Sequence, residues 1–516
     1  MEQNQNVQPW QYPPQYPVMP PQQPQPPKEH PFFPTGKKEL FFGIGAAVSG
    51  LAMVNCLIFG GANLGFALAV ILSICVAAAY LWCSGQKPGG YTIALMSLSM
   101  VIAAGFARSN DGFVEFVMVV FLFVAINLAL CLQAEQNRRS AAGITTLLDG
   151  PRAFVSLGIG KLPESFCGLR RARKNGGPGS KKAGAVLAGL LIAVPILLIV
   201  LPLLISADAA FEGLVNMLPD FDFGELFVTL ILGGILTCIL YSRGVALRHA
   251  PKQPAAEAKG RKIHVLTVNT ALIGLCFVYV VYMISQLAYF VGGFSGVLPD
   301  GFTMAEYARR GFFEMAALCA INLTIIALAV GLVEKGEKTP LFTRLLCLFI
   351  GIVTVFFVIT ASAKMGMYIG SYGLTRLRVL TEVIMVFLGL ATVSVSIWLF
   401  VPKMPYMKVI LIIALVMGAA VLWADVDTVV AAYNVSAYQA GMLKSVDVAY
   451  LTTLSSGAVP YIAELAEMGN SEAAAWLAET GSAYYWSSMF DDLRSWNIGE
   501  WLAGQLIDNW NYSSIK

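Results

Sequence analysis

The sequence predicts an all-α protein: a polytopic transmembrane helix bundle followed by a small C-terminal α-helical domain outside the membrane. Two observations lead to this prediction. Hydrophobic residues make up 57% of the chain and charged residues only 13%. Between Leu40 and Ala424, apolar runs of about twenty residues recur, separated by short polar breaks, and a helix of that length crosses the hydrocarbon core of a bilayer.

We predict about eleven membrane spans from these runs. A transmembrane β-barrel would instead need alternating strands of about ten residues, and the sequence has none. The predicted spans are Leu40–Gly60, Leu64–Cys83, Tyr91–Ala107, Phe113–Leu132, Ala183–Ile205, Gly224–Ser242, Ile263–Val291, Phe312–Val333, Pro340–Ser362, Arg376–Val401 and Tyr406–Ala424.

Lys and Arg gather in segments that the positive-inside rule assigns to the cytoplasm. Two basic loops, at 133–182 and 243–262, hold sixteen of the 34, and Lys37 and Lys38 precede the first span. An odd number of spans puts all of these on one side. We therefore predict a cytoplasmic N-terminus and an extracytoplasmic C-terminus.

Three regions differ in composition. Residues 1–38 are rich in Pro and Gln and predict a disordered cytoplasmic tail, because eleven of the 25 prolines lie between Pro9 and Pro34. Residues 39–424 form the transmembrane domain. Residues 425–516 carry eleven acidic side chains against three basic ones, and five of the nine tryptophans. Helices are predicted there at Val446–Leu454, Ala458–Met468, Glu472–Thr480 and Ile498–Asn509.

Familiar catalytic motifs are missing from the sequence. It has no Cys-x-x-Cys pair, no His-Glu-x-x-His, no phosphate-binding loop and no Gly-x-Ser-x-Gly. None of the nine cysteines falls in a segment predicted to face outward, where a disulfide would persist. We predict no metal, no cofactor, no catalytic residue and no nucleic-acid partner, while an enzyme that uses only carboxylates stays open.

Charged residues in segments predicted to face outward form the main candidate site. They are Glu306, Arg309, Arg310, Glu314, Lys364, Arg376, Arg378 and Glu382. Charges near hydrocarbon are costly unless they are paired, so we predict a structural ion-pair network that joins Glu306 or Glu314 to Arg376 or Arg378. The alternative is a site for an anion or a lipid headgroup, since the Arg fork suits carboxylate and phosphate.

Other elements have simpler interpretations. Ser206–Pro219 predicts a short amphipathic helix at the membrane interface, and Ile144–Ile159 either a similar helix or a linker. Polar side chains inside spans predict hydrogen bonds between helices. These are Glu115, Asn127, Asn269, Gln286 and Asn322.

Several strings resemble a bacterial membrane family of unknown function, domain of unknown function 4153/4173. They are Glu306–Glu314, Tyr372–Arg378, and a C-terminal motif, with Asp491–Asn497 similar to the family's closing motif. The C-terminal motif residues are Tyr433, Asn434, Asp447, Tyr450 and Pro460. The resemblance covers about Ser206 to Asn497. It implies a multi-pass protein of a bacterial plasma membrane and supplies no activity, substrate or catalytic residue.

Two functions of different kinds follow as hypotheses. The first is a non-enzymatic scaffold or sensor of the cell envelope, which acts through the outer helical domain. The alternative is a transporter or lipid-handling protein that uses the outward Arg/Glu cluster. The expected partners are the lipid bilayer and an envelope protein or anionic ligand, and the sequence sets no oligomeric state.

Overall fold

The computed structural model describes residues 37–136, 147–163, 223–249, 263–294, 312–332, 340–483 and 493–514, with a few isolated positions between 196 and 207. Within these ranges the regular elements are helices and there is no β-strand. The all-α prediction is therefore confirmed.

The membrane part contains long apolar helices joined by short connections. They are α1 (Lys37–Asn55, continued by a π-helical turn Cys56–Gly60), α2 (Leu64–Cys83), α3 (Gly90–Gly105), α4 (Gly112–Gln133), the short α5 (Asp149–Ala153, continued by a π-helical segment Phe154–Ile159), α6 (Phe223–Val228), a π-helical turn (Thr229–Gly233), α7 (Gly234–His249), α8 (Val265–Phe294), α9 (Phe312–Leu332), α10 (Leu341–Tyr372), α11 (Arg376–Phe400) and α12 (Tyr406–Ala424).

Nine helices of the described chain are long and apolar enough to cross a membrane, with α6 and α7 counted as one, and α3 is a shorter apolar helix. Large apolar side chains cover their outer faces. Phe41 is 73% exposed, Phe277 70% and Ile284 68%. A water-soluble protein would bury such rows of side chains, whereas a bilayer solvates them. The chain is thus a multi-pass membrane protein.

Two helices are longer than the predicted spans. Helix α10 runs to Tyr372, past the predicted end at Ser362, and stops where Gly373 has a φ of 77°. Helix α7 runs to His249, so residues 243–249 are helical and do not belong to the predicted basic loop. The predicted span Ala183–Ile205, the helix Ser206–Pro219 and the tail 1–36 lie outside the described residues, apart from isolated positions.

Three apolar cores hold the helices together. The first joins α1–α4, α7 and α12, around side chains such as Phe66, Phe106 and Leu422. The second joins α8–α11, around Ile350 and Phe357. The third lies outside the membrane helices. Two of the five polar side chains predicted to bond between helices do so: Asn322 on α9 bonds Tyr279 on α8 and Thr354 on α10, and Asn269 accepts from Thr343. Asn127 instead donates to the carbonyl of Phe123 on its own helix.

The third core is built by short helices after residue 425. They are α13 (Val426–Gln439), α14 (Val448–Leu451), a 3-10 turn (Ser456–Ala458), α15 (Val459–Glu467), α16 (Ser471–Ala483) and α17 (Ile498–Ser514). The last four α-helices match the predicted ones, and α13 was not predicted. These helices sit on the bundle end formed by the starts of α2, α4 and α11 and the ends of α3 and α12. We call this contact region the junction.

Candidate functional site at the junction

Arg376, the first residue of α11, lies at the centre of the junction. Its Nε and Nη2 donate to the two carboxylate oxygens of Asp427, which is fully buried at the start of α13. Its Nε also lies 3.4 Å from Oδ2 of Asp111, the residue that caps α4. A two-pronged pair of this kind fixes both distance and orientation. Arg376 therefore ties α11 to α13 and to α4.

The charge state of Asp427 fits this pairing. Burial alone favours the neutral carboxyl group and raises its pKa. Hydrogen bonds from Arg376 and from the backbone N–H of Ser455, at 2.7 Å, favour the charged form. Together they outweigh burial and hold the pKa of Asp427 below its usual value. Asp427 is thus a carboxylate at neutral pH, and the contact is an ion pair.

Beside the ion pair, Asn434 binds the backbone of the turn between α10 and α11. Its Oδ1 accepts from the N–H of Leu374 at 2.6 Å, and its Nδ2 donates to the carbonyl of Leu374 at 2.9 Å. A Cβ on Gly373 would lie 2.6 Å from that Oδ1. The turn therefore requires glycine for two reasons: its positive φ and the approach of Asn434.

The outward cluster and the C-terminal motif meet at Arg376. The hydroxyl of Tyr450 accepts from the N–H of Arg376 at 3.0 Å, and Asp447 caps α14 by accepting from the N–H of Tyr450 at 2.9 Å. Tyr433 packs against the first core, and Pro460 lies in the first turn of α15. The C-terminal motif thus contacts the outward cluster through Arg376.

The rest of the outward cluster does not converge on Arg376. Glu306, Arg309 and Arg310 lie outside the described residues. The remaining cluster members occupy separate helices: Glu314 is exposed on α9, Lys364 is half-buried on α10, and Glu382 is half-buried on α11.

Arg378 binds within its own turn. Its guanidinium lies 4.0 Å from the ring centre of Tyr368 and donates to the carbonyls of Tyr372 and Gly373. Among the described residues the partners of Arg376 are Asp427 and Asp111, and the predicted pairing with Glu306 lies outside the described residues.

One buried and two half-buried acidic residues beside the ion pair were not singled out from the sequence as a site: Asp425, Glu115 and Glu500. Asp425, between α12 and α13, is 3% exposed and has a φ of 53°, and its Oδ2 accepts from Thr428 Oγ1 at 2.6 Å. Its Oδ1 has no hydrogen-bond partner, and neither does Oε1 of Glu115. Glu500 accepts from Asn110 at 2.7 Å.

Burial raises the pKa of Asp425, and the negative charge of the neighbouring Asp427 raises it further. Burial also raises the pKa of Glu500. The junction therefore holds carboxyl groups whose pKa values move in opposite directions, down for Asp427 and up for Asp425 and Glu500. The sequence could have indicated this group through the positions of its members, because Asp111, Asp425 and Asp427 all lie within a few residues of a span end.

A second anchor of the junction is the turn before α17. The carbonyl of Trp496 accepts from the N–H of Leu64 at 3.2 Å, and the N–H of Ile498 donates to the carbonyl of Ala107 at 2.8 Å. The Asn497 side chain, 1% exposed, donates to the carbonyl of Ser109 at 2.8 Å. Arg494 pairs with Glu225 on α6. This turn therefore ties the region after residue 493 to α2, α3 and α6.

The bundle also has an apolar groove of about 620 Å³ between α4, α11 and α12. Phe121, Leu148, Phe387 and Ala414 are among its lining side chains. In the described part of the chain, no group of three or more His, Cys, Asp or Glu side chains is arranged to hold a metal ion.

The fold and the junction define an all-α integral membrane protein with a helical region anchored on one end of its bundle. The family model described as Domain of unknown function (DUF4153) matches residues 90–465, well over half of the chain, and the protein belongs to that family. No curated protein and no solved structure matches the chain. The match begins well before Ser206, where the sequence resemblance was expected to begin. It ends before the turn that contains Trp496 and precedes α17, which we call the Trp496 turn.

Proposed function

We propose that this protein is a non-enzymatic sensor or scaffold of the bacterial cell envelope. In this proposal α13–α17 face the outside of the plasma membrane and bind an envelope partner. The observation that carries it is the two-pronged ion pair between Arg376 and Asp427. Because this pair fixes α13 to the first turn of α11, a partner that shifts α13 acts directly on a membrane helix.

The charges at the two ends of the bundle support this orientation. Lys37 and Lys38 at the start of α1, Arg344 near the start of α10 and Lys403 before α12 all lie at the end opposite the junction. The positive-inside rule assigns that end to the cytoplasm. At the junction, by contrast, Arg376 is paired with carboxylates, so its charge is largely balanced.

In vivo photo-crosslinking tests the proposal. A photo-reactive residue replaces Met442, which is 66% exposed in the turn after α13, and a matched probe replaces the exposed Lys403 at the opposite end. We expect a discrete envelope protein to crosslink from position 442 only. The absence of a discrete product at 442, or the same product from both positions, contradicts the proposal.

The apolar groove favours a second function, lipid handling. A cavity of about 620 Å³ lined almost entirely by apolar side chains of α4, α11 and α12 suits an acyl chain. Ala414→Phe fills the groove, whereas Val416→Phe, two residues away at a 50% exposed position outside the lining, is the matched control. Native mass spectrometry of the purified protein should then show loss of bound lipid in Ala414→Phe alone. Equal lipid retention in both variants contradicts this function.

A further inference from the structure

Arg243 is a buried cation inside the membrane bundle. Its side chain belongs to α7 and is 6% exposed. No described carboxylate forms an ion pair with it, and its Nη2 has no hydrogen-bond partner. The Phe154 ring, 5.8 Å from the guanidinium carbon, is its only described charge-stabilising contact.

The depth of Arg243 makes this arrangement costly. Arg243 lies six residues before His249, the end of α7, which places it about 9 Å along the helix axis from that end. A buried ionised group without a counter-charge is strongly destabilising, and charges inside membrane helices commonly mark functional sites. A compensating negative charge is therefore expected beside Arg243.

Two buried carboxylates lie in this part of the bundle, and neither forms an ion pair with Arg243. Glu39 on α1, 4% exposed, pairs with Arg248 and accepts from the hydroxyl of Tyr80 at 3.3 Å. His249 Nε2 lies 3.4 Å from the same Glu39 oxygen. Asp149 on α5 is also buried, and its Oδ2 has no hydrogen-bond partner. The charges of Asp149 and Arg243 both act on the Cys131 thiol, yet the two side chains form no ion pair with each other. The two arginines of α7 thus differ: Arg248 has a protein counter-ion and Arg243 does not.

A small cavity lies against Arg243. It is lined by residues of α1, α2, α4 and α7 and has a volume of about 20 Å³, which is room for one water-sized particle. Ser49 and Ser73 line it together with apolar side chains. Ser49 is 1% exposed, and its hydroxyl has no hydrogen-bond partner. Two buried donors, one of them cationic, therefore border one small space.

We propose that this cavity binds a single small inorganic anion of the size of chloride, held by the Arg243 guanidinium and the Ser49 hydroxyl. Water in the cavity satisfies hydrogen bonds but leaves the positive charge uncompensated, whereas an anion does both. A cavity of about 20 Å³ suits a monatomic ion better than a polyatomic anion such as phosphate. The site is independent of the junction and of the envelope role proposed above.

Thermal unfolding of the full-length protein in detergent tests the proposal. The melting temperature is measured as chloride replaces gluconate at constant ionic strength, and bromide is used in parallel. A ligand that binds only the folded state raises the melting temperature with saturation. We expect such a rise for both halides in the unmodified protein. We expect no halide dependence in Arg243→Met, and half-saturation at about tenfold higher chloride in Ser49→Ala, which loses one hydrogen bond to the anion.

Arg248→Met is the matched control on the same helix. It leaves Glu39 without its Arg partner and should lower the melting temperature, yet it should keep the halide dependence. If Arg243→Met does not fold, bromide anomalous scattering from crystals of the unmodified protein gives the answer, with a peak expected between Arg243 and Ser49. No saturable halide effect in the unmodified protein, an equal effect in Arg243→Met, or no bromide peak at this position overturns the proposal and leaves the cavity to water.

Discussion

Arg376 and Asp427 lie 51 positions apart in the sequence, and both donor nitrogens of the guanidinium fork bond the two oxygens of one fully buried carboxylate. Asp427 is fully buried, whereas the Arg376 side chain is 36% exposed and still lies 3.4 Å from Asp111 when Asp427 is removed. We therefore expect Asp427→Ala, which loses the hydrogen bonds to a charged group, to lower the free energy of unfolding by about 1.5–3 kcal/mol, measured by denaturant or thermal unfolding in detergent.

The pair between Arg494 and Glu225 provides the comparison, because its side chains are 35% and 25% exposed. Glu225→Gln should cost only about 0–1 kcal/mol, since solvent screens the pair. If Asp427→Ala and Glu225→Gln lower the free energy of unfolding by similar amounts, Asp427 does not act as a buried partner of Arg376.

A second prediction concerns acid stability, in which Asp425 and Asp427 act in opposite directions. The pKa of Asp425 is raised on folding, so the folded state binds its proton more tightly and gains stability as pH falls through that raised value. The pKa of Asp427 is lowered on folding, so its contribution is present above the unfolded value and is lost as pH falls further.

Melting temperature measured against pH should therefore rise on mild acidification and then fall. Asp425→Asn mimics the protonated group and should raise the melting temperature at neutral pH while it flattens the rise. Asp427→Asn should flatten the fall at lower pH. A pH profile unchanged in Asp425→Asn would show that this carboxyl group does not titrate differently on folding.

A third prediction compares two glycines with similar backbone angles. Gly373 has a φ of 77° and Gly441 a φ of 70°. A Cβ at Gly441 meets nothing within 4 Å, whereas one at Gly373 lies 2.6 Å from Asn434 Oδ1. Gly441→Ala should cost about 1 kcal/mol of backbone strain. Gly373→Ala should cost that amount plus the two hydrogen bonds of Asn434, about 1–3 kcal/mol more. Equal melting temperatures for Gly373→Ala and Gly441→Ala would show that Asn434 does not constrain the turn.

A fourth prediction concerns which side of the membrane carries the junction. Ser482 lies on α16, and the chain has no native cysteine after Cys347. In Ser482→Cys, a membrane-impermeant maleimide should label intact cells, because positive-inside logic puts this end outside. The unmodified protein gives the background from native cysteines. Labelling that requires permeabilisation would reverse the orientation and move the search for partners to the cytoplasm.

The membrane helices were predictable because their signal is local. The length of an apolar run can be read directly from the sequence. The predicted spans Leu64–Cys83 and Tyr406–Ala424 therefore coincide with α2 and α12. The end of α10 was not predictable from hydropathy, because hydropathy falls near Lys364 while the helix continues to Tyr372. It stops there because Gly373 has a positive φ. Helix α13 was missed because only Asp425 separates it from α12.

The junction was less accessible from the sequence. Both Arg376 and the C-terminal motif were selected as candidates, but helical spacing relates only residues three or four apart. The partner of Arg376 comes from 51 positions away and is set by how three helix ends meet. The buried state of Arg243 was hidden for a related reason, because a basic residue at the end of an apolar run resembles the start of a cytoplasmic loop.

The Trp496 turn has a consequence for how the protein is made. Asn497 bonds the carbonyl of Phe106, 391 residues earlier in the chain. Translation at about 5–20 residues per second separates the synthesis of these two groups by roughly 20–80 s. During that interval α2 and α3 are already made while the backbone groups of Leu64 and Ala107 still lack their partners. The early helices are therefore complete well before the late segment that bonds them is made.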